Sequence, residues 1–324
     1  MMRTEKIQAA KTRPSGALPQ RSAVRQVLRR LYQDRFIYLM LLPVVAYLVI
    51  FKYWPMTWLS VSFFDYKLLK GFGGSKWVGL SNYIKFVRSS DFLRIVGNTL
   101  VLNIELLLIS FPFTIIFSLL LNEVKNMKYK KVVQTVSYLP HFISTVVLVT
   151  MINTILSPSV GVFGAIAKAF GNEPIYFMGQ AKYFRPIYIL SDMWQGTGWG
   201  AIIYLSAMTG IDPTLYEAAT VDGANRFQQI WHITLPGIMG AIVIQLVMAI
   251  GNIMNLGFEK VYLMQNSLNI QLSEVLSTYV YKQGMLQTKF GYSMAVSVFN
   301  SVIALVLVVT ANKLSKKLTS AGLW

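Results

Sequence analysis

The stretch EAATVDGANRFQQIWHITLP, Glu217–Pro236, decides how this chain is read. It is polar and built from small residues, yet it joins two runs, 186–210 and 236–256, that are long enough and apolar enough to live in lipid. Just before it, Asp212 is suited to cap a helix and Pro213 to open one, since the first turn has no partner for the N–H that proline lacks. Two turns from Thr214 to Thr220 follow, and Gly223 fits the left-handed residue that ends a helix. A second short helix is expected near Asn225, with Phe227, Ile230 and Trp231 along one side, before Pro236 opens the next apolar run. Ala218 and Ala219 carry almost no side chain, so a partner surface can approach the backbone closely, and Glu217 offers one charge to an Arg or Lys. Asp222 and Gly223 set the angle between the two short helices. The segment reads as a stiff elbow, able to pass on a push as a rigid body.

The rest of the chain says where the elbow sits. Of 324 residues, 54% are hydrophobic and 13% charged, with a mean hydropathy of +0.50. A soluble domain is about 25% charged and lacks apolar runs of about 20 residues. Backbone groups facing lipid must be paired within their own segment, so the composition predicts an all-α polytopic membrane protein. Barrel strands would alternate over about ten residues, and no such alternation occurs. The net charge of +17 fits basic residues that flank spans and meet anionic headgroups, so nucleic acid is not expected as a partner. The first thirty-five residues are polar and basic with no short apolar core before a cleavage site, and do not read as a cleavable signal. Within them Arg21–Arg35 has helical apolar spacing and predicts a basic amphipathic helix on the membrane surface.

Six spans are expected, near 36–58, 95–121, 132–156, 186–210, 236–256 and 291–312. With the N-terminus inside, the inner segments hold 17 Lys and Arg in 82 residues and the outer segments 13 in 106. Arg25, Arg29, Arg30 and Arg35 crowd the start of the first span and favour this orientation. The organisation expected is thus a cytoplasmic tail, 1–35, and a six-helix membrane domain, 36–324, whose loop 211–235 is cytoplasmic.

Several chemistries are excluded or unsupported. The absence of Cys rules out disulfides and thiolates. "GFGGSK" superficially resembles a phosphate loop, but the chain contains no Gly-Lys-Ser/Thr triplet, so nucleotide driving the protein must sit on a separate chain. His141 and His232 are the only histidines, far apart and without companion ligands, which argues against a metal site and a Ser-His-Asp triad.

Glu217-Ala218-Ala219, Asp222-Gly223-Ala224 and Ile233-Thr234-Leu235-Pro236 resemble the EAA motif of permease subunits in binding-protein-dependent ABC importers, in order, spacing and topological position. The likeness extends over about 36–324 through "LMLLPVVAYLVIFKYWPM", "WVGLSNYIKF", "YLPHFIS" and "SAGLW", and is greatest for the carbohydrate-uptake branch related to the maltose permeases, the alginate-importing group included. The resemblance implies a type I importer permease with six transmembrane helices, in the inner membrane, with both termini cytoplasmic. It implies that Glu217, Ala218, Ala219, Asp222, Gly223, Ala224, Leu235 and Pro236 dock into a groove of an ATPase subunit. It further implies a second homologous permease, two ATPase copies that bind ATP and Mg, an extracytoplasmic solute-binding protein and an oligosaccharide substrate; no cofactor is expected in this chain.

Candidates for the substrate path follow from polarity at membrane depth. Glu105 and Asp192 lie in apolar runs, where a carboxylate costs about 2.5–3.5 kcal/mol on insertion scales and needs a cavity or a partner. Asn252 and Asn255, beside Gly257, offer the paired donors and acceptors that sugar hydroxyls require; an inter-helix hydrogen bond is the alternative for each. Trp194 and Gln195 are further candidates. In the outer segments thirteen basic residues face five acidic ones, Asp65, Asp91, Glu173, Glu259 and Glu274, a balance that favours an acidic, uronate-like saccharide over a neutral one. An ion-coupled secondary transporter is the other class, but neither an inverted repeat nor an acid-rich proton relay is visible.

Overall fold

The computed structural model describes residues 33–254 and 257–319, so most of the expected surface helix at Arg21–Arg35, the ending "SAGLW" and Asn255 lie outside the described residues. The chain divides into two compact units that meet at Leu59/Ser60. In the first, helix α1 (Arg35–Leu48) contains Pro43 and runs on through a π turn, Val49–Tyr53. None of its residues is buried. A helix that is apolar all round and unburied is one made to face lipid.

The second unit is helical apart from a two-residue antiparallel pair, β1 (Phe64–Asp65) with β2 (Lys76–Trp77). After α2 (Ser81–Val87) come the helices that build the bundle: α3 (Phe92–Asn122), α4 (Met127–Tyr138), α5 (Thr145–Ile155), α6 (Val162–Ala169) and α7 (Ala181–Met208). The elbow follows as α8 (Pro213–Val221) and α9 (Arg226–Gln229), then α10 (Met239–Gly251), α11 (Phe258–Met264), α12 (Ile270–Ser273), α13 (Leu276–Tyr281) and α14 (Phe290–Thr319).

By length and composition Arg35–Phe63, Phe92–Asn122 and Phe290–Lys317 can each cross a membrane. Two more spans are bent pairs. Sequence hydropathy predicts one run at 132–156; the structure breaks it into Met127–Phe142 and Thr145–Ile155, inclined at 98°. Pro140 and the cap of Ser144, whose hydroxyl accepts from Val147 N, stop one helix and start the next. The carbonyl freed at the bend, on Ile143, accepts from Gln195 Nε2 at 3.0 Å. Likewise Arg226–Gly237 and Met239–Gly251 meet at 62°.

The remaining expected span, 186–210, is α7, and it is too polar to qualify on hydropathy. Its surroundings explain why it need not be apolar. Phe184, Tyr188, Ile189, Ser191, Thr197, Gly198, Ala201, Tyr204 and Met208 are all buried, so protein covers much of its circumference. At Gly198 a Cβ would run into the backbone of Ser137, so only glycine lets α7 and α4 approach this closely. Around α7 sit two core clusters, one including Leu102, Val149, Phe184 and Val261, the other Tyr204, Met208, Ile238 and Ile242.

Candidate functional site: the elbow and the central cleft

Asp212 caps α8 by accepting from Thr214 N at 2.9 Å, and that backbone hydrogen bond holds the carboxyl below its usual value. The far end of α8 is closed by two backbone bonds: Gly223 N to Thr220 O at 3.1 Å and Ala224 N to Ala219 O at 2.8 Å. These are the paired bonds of a Schellman stop, and they require the left-handed residue supplied by Gly223, at φ +78°. Two residues on, Asn225 Oδ1 accepts from Gln228 N at 2.9 Å while Gln228 Oε1 accepts from Asn225 N at 2.7 Å, a reciprocal box that starts α9 at once. The sequence D-G-A-N is therefore one helix stop run directly into one helix start.

Side chains then brace the two helices. Gln229 Nε2 donates to Thr220 Oγ1 at 3.1 Å and to Ala224 O at 3.2 Å. Tyr216 Oη and the buried Thr234 Oγ1 are hydrogen-bonded at 2.9 Å, fastening α8 to the root of the next span. Arg226 pairs with Glu123 at 3.1 Å and ties the elbow to the end of α3. A Cβ on Gly237 would strike Ile211, so the two ends of the elbow are in close contact. On this braced frame Glu217, Ala218, Asp222, Gly223 and Pro236 are exposed, while Ala219, Ala224 and Leu235 are half-buried. Among the described residues Glu217 has no ion-pair partner. Val221, Phe227 and Trp231 are also exposed, the last two rings stacked at 6.5 Å.

A cleft of about 480 Å³ lies between the middle of α3, the middle of α7, the end of α10 and the start of α11. That volume lies in the ~300–1,000 Å³ range of small-molecule sites. Asn103, Leu106, Leu107, Ser110 and Thr114 form its α3 wall, and Tyr188, Asp192, Gly196 and Thr197 its α7 wall. Both sets follow helical spacing. Ser110 Oγ and Thr197 Oγ1, on two of the lining residues, are buried without a hydrogen-bond partner, an uncommon state. Lys260 enters from α11: its Nζ lies 3.4 Å from Asp192 Oδ1 and 4.6 Å from the centre of the Tyr188 ring.

The path candidates are thereby separated. Asp192 and Asn252 line the cleft; Glu105 and Gln195 do not. Glu105 sits on the α3 stripe that includes Asn98 and Leu102, 3.8 Å from Arg185, whose other guanidinium nitrogen donates to Asn98 Oδ1 at 3.1 Å. Gln195 is occupied at the α4–α5 bend. Trp194, 48% exposed, lines an apolar groove with Phe113, Val132, Val136 and Pro140.

Residues 110–320 match the family model described as "binding-protein-dependent transport system inner membrane component". The chain belongs to that permease family. The Polygalacturonan/rhamnogalacturonan transport system permease protein YteP of Bacillus subtilis (strain 168) is 44% identical over 300 residues, covering 93% of this chain and 94% of that protein. Protein LplB of the same organism is 42% identical, covering 91% and 92%. A crystal structure of a bacterial alginate ABC transporter, in complex with alginate pentasaccharide-bound periplasmic protein, superposes with a TM-score of 0.85 at 39% identity, over 91% of this chain and 99% of that one. The protein is thus a multi-pass inner-membrane permease of the ABC type, and its helical fold is that of the importer permeases.

In this permease two cleft features escape a linear reading. Lys260 looks like an ordinary loop lysine that follows a span, because Asp192, its partner, is 68 positions away. Ser110 and Thr197 look like small packing residues of membrane helices. Only the helical stripes of α3 and α7, taken together, point to one shared face.

Proposed function

We propose that this permease carries acidic saccharides inward, driven by ATP hydrolysis on two copies of a separate ATPase subunit that gripping the Glu217 elbow couples to the bundle. A second, homologous permease completes the pore, because a single six-helix chain is too small to enclose one. A solute-binding protein delivers the sugar to the outer loops, and ATP and Mg stay on the ATPase pair. Both termini lie in the cytoplasm, which places the elbow on the ATPase side.

The observation that carries the coupling role is the exposed Glu217, without an ion-pair partner among the described residues, on a short helix whose two ends are hydrogen-bonded shut. A charge left without a partner on a rigid knob is suited to a cationic socket on another protein. The substrate class rests on the relatives' uronate-rich substrates and on a cleft that combines hydroxyls, an amide and a lysine. Deleting the gene and measuring uptake of uronate oligomers against neutral oligomers of equal length tests it. Loss of uronate uptake alone supports the assignment; unchanged uronate uptake overturns it.

A further inference from the structure

The Lys260 side chain is 8% exposed, whereas its partner Asp192 is 43% exposed. Burying a lysine at the depth of two long membrane helices is costly, and a sequence retains such a charge for a job. Its present partnership does little to offset that cost. A charge-assisted N–H···O bond is about 2.7–2.9 Å long, and the 3.4 Å separation from Asp192 is well beyond this. An ammonium has three donors; one points to this distant carboxylate, and the Tyr188 ring faces the group at 4.6 Å. Lys260 is thus held in place, with donor capacity to spare, on the wall of a cleft whose hydroxyls Ser110 Oγ and Thr197 Oγ1 also lack partners.

Resting on the saccharide reading above, we infer that Lys260 is the charge selector of the cleft: the carboxylate of a passing uronate replaces Asp192 as its partner, and Asp192 takes the lysine back when the sugar leaves. The exchange takes the cleft from neutral when empty to one net negative charge when loaded, carried by Asp192. In the empty cleft the pair is neutral as Asp192–Lys260. With a uronate present, the sugar's carboxylate neutralises the lysine, and Asp192, already half in water, is solvated at small cost. A neutral sugar offers no carboxylate and leaves the resident pair closed across the cleft. Asn252 offers its amide to either kind of sugar, so discrimination falls on the lysine. The Tyr188 ring keeps the ammonium in position during the handover, since its face attracts the cation whichever carboxylate is bound.

The test uses the complete transporter, with its partner subunits and binding protein, in proteoliposomes, and labelled trigalacturonate as the probe. Because the binding protein is a separate chain, changes at position 260 leave its selection of sugar untouched. Lys260→Gln is expected to lower trigalacturonate uptake by at least about tenfold, the loss of a hydrogen bond to a charged group, and Lys260→Arg to retain most of it. Asp192→Asn removes the competitor and is expected to lower the apparent KM. Co-purification of each variant with its partners at wild-type yield establishes assembly. Uptake by Lys260→Gln within twofold of wild type overturns the selector, and so does an Asp192→Asn variant as impaired as Lys260→Gln, which would make the pair a strut. Should the wild-type transporter carry the carboxyl-reduced trisaccharide and not trigalacturonate, the acidic-saccharide reading fails first and takes the selector with it.

Discussion

Ala224 N donates to Ala219 O at 2.8 Å, so the third alanine of the motif is bonded to the second across Gly223. This single ring fixes where α8 ends and gives the D-G-A triplet a mechanical meaning: it stops one helix so that Asn225 can start the next. The residues with small side chains are those on which the turn closes.

Gly223→Ala should weaken the elbow for a purely conformational reason. A Cβ at this position meets nothing within 4 Å, so the cost is that of a left-handed L-residue, roughly 1–2 kcal/mol. Gly223→Asn should cost less, because its side chain tolerates this conformation. Limited proteolysis of the loop in native membranes, alongside uptake, should rank the three as Gly, Asn, Ala.

The Arg226–Glu123 pair is 53% and 31% exposed, so its value to folding is small, about 0.2–1 kcal/mol. Its value to coupling should be larger, since it joins the elbow to α3. Arg226→Glu and Glu123→Arg are each expected to slow uptake while leaving thermal stability nearly unchanged, and the double exchange should recover much of the rate. A double-mutant cycle on uptake measures this.

Gly198→Ala should be among the most damaging single changes outside the elbow. The added methyl meets backbone, which cannot rotate away, and overpacking of this kind costs about 1–3 kcal/mol. Fluorescence-detected size exclusion of the detergent-extracted protein should show reduced folded yield and a lower melting temperature.

Acidification should loosen α8 through Asp212. Its folded-state pKa is depressed by the hydrogen bond from Thr214 N, so its contribution is full above the unfolded carboxylate value and fades as pH falls through the lower folded value. Proteolytic protection of the elbow should therefore decline in acid in the wild type. Asp212→Asn, which caps without titrating, should flatten that decline.

The elbow was legible in the sequence because its determinants are local. Asp212, Pro213, Gly223 and Asn225 each act on backbone within a few residues, and their stop and starts fall where that chemistry predicts; Pro236, expected to open the next span, instead lies inside the helix Arg226–Gly237, and the bend follows it at Ile238. The expected span at 132–156 hides a 98° bend, although Pro140 and Ser144 carried the signal: a 25-residue hydropathy run averages over a helix stop followed by a cap. The cleft was legible only in part. Asp192 and Asn252 stand out as polar residues in apolar surroundings, but the partnership of Glu105 with Arg185 and of Asp192 with Lys260 depends on how α3, α7 and α11 pack. No local pattern encodes such pairings between distant residues.

The central claim is that Glu217 sits in the grip of a motor carried by other chains. Co-purification of the ATPase with the Glu217→Lys permease, measured together with ATP-dependent uptake, tests it most directly. Reversing the charge should release the ATPase and abolish uptake while the membrane domain still folds and reaches the membrane at normal yield. Full retention of the ATPase with wild-type uptake in that variant would contradict the account.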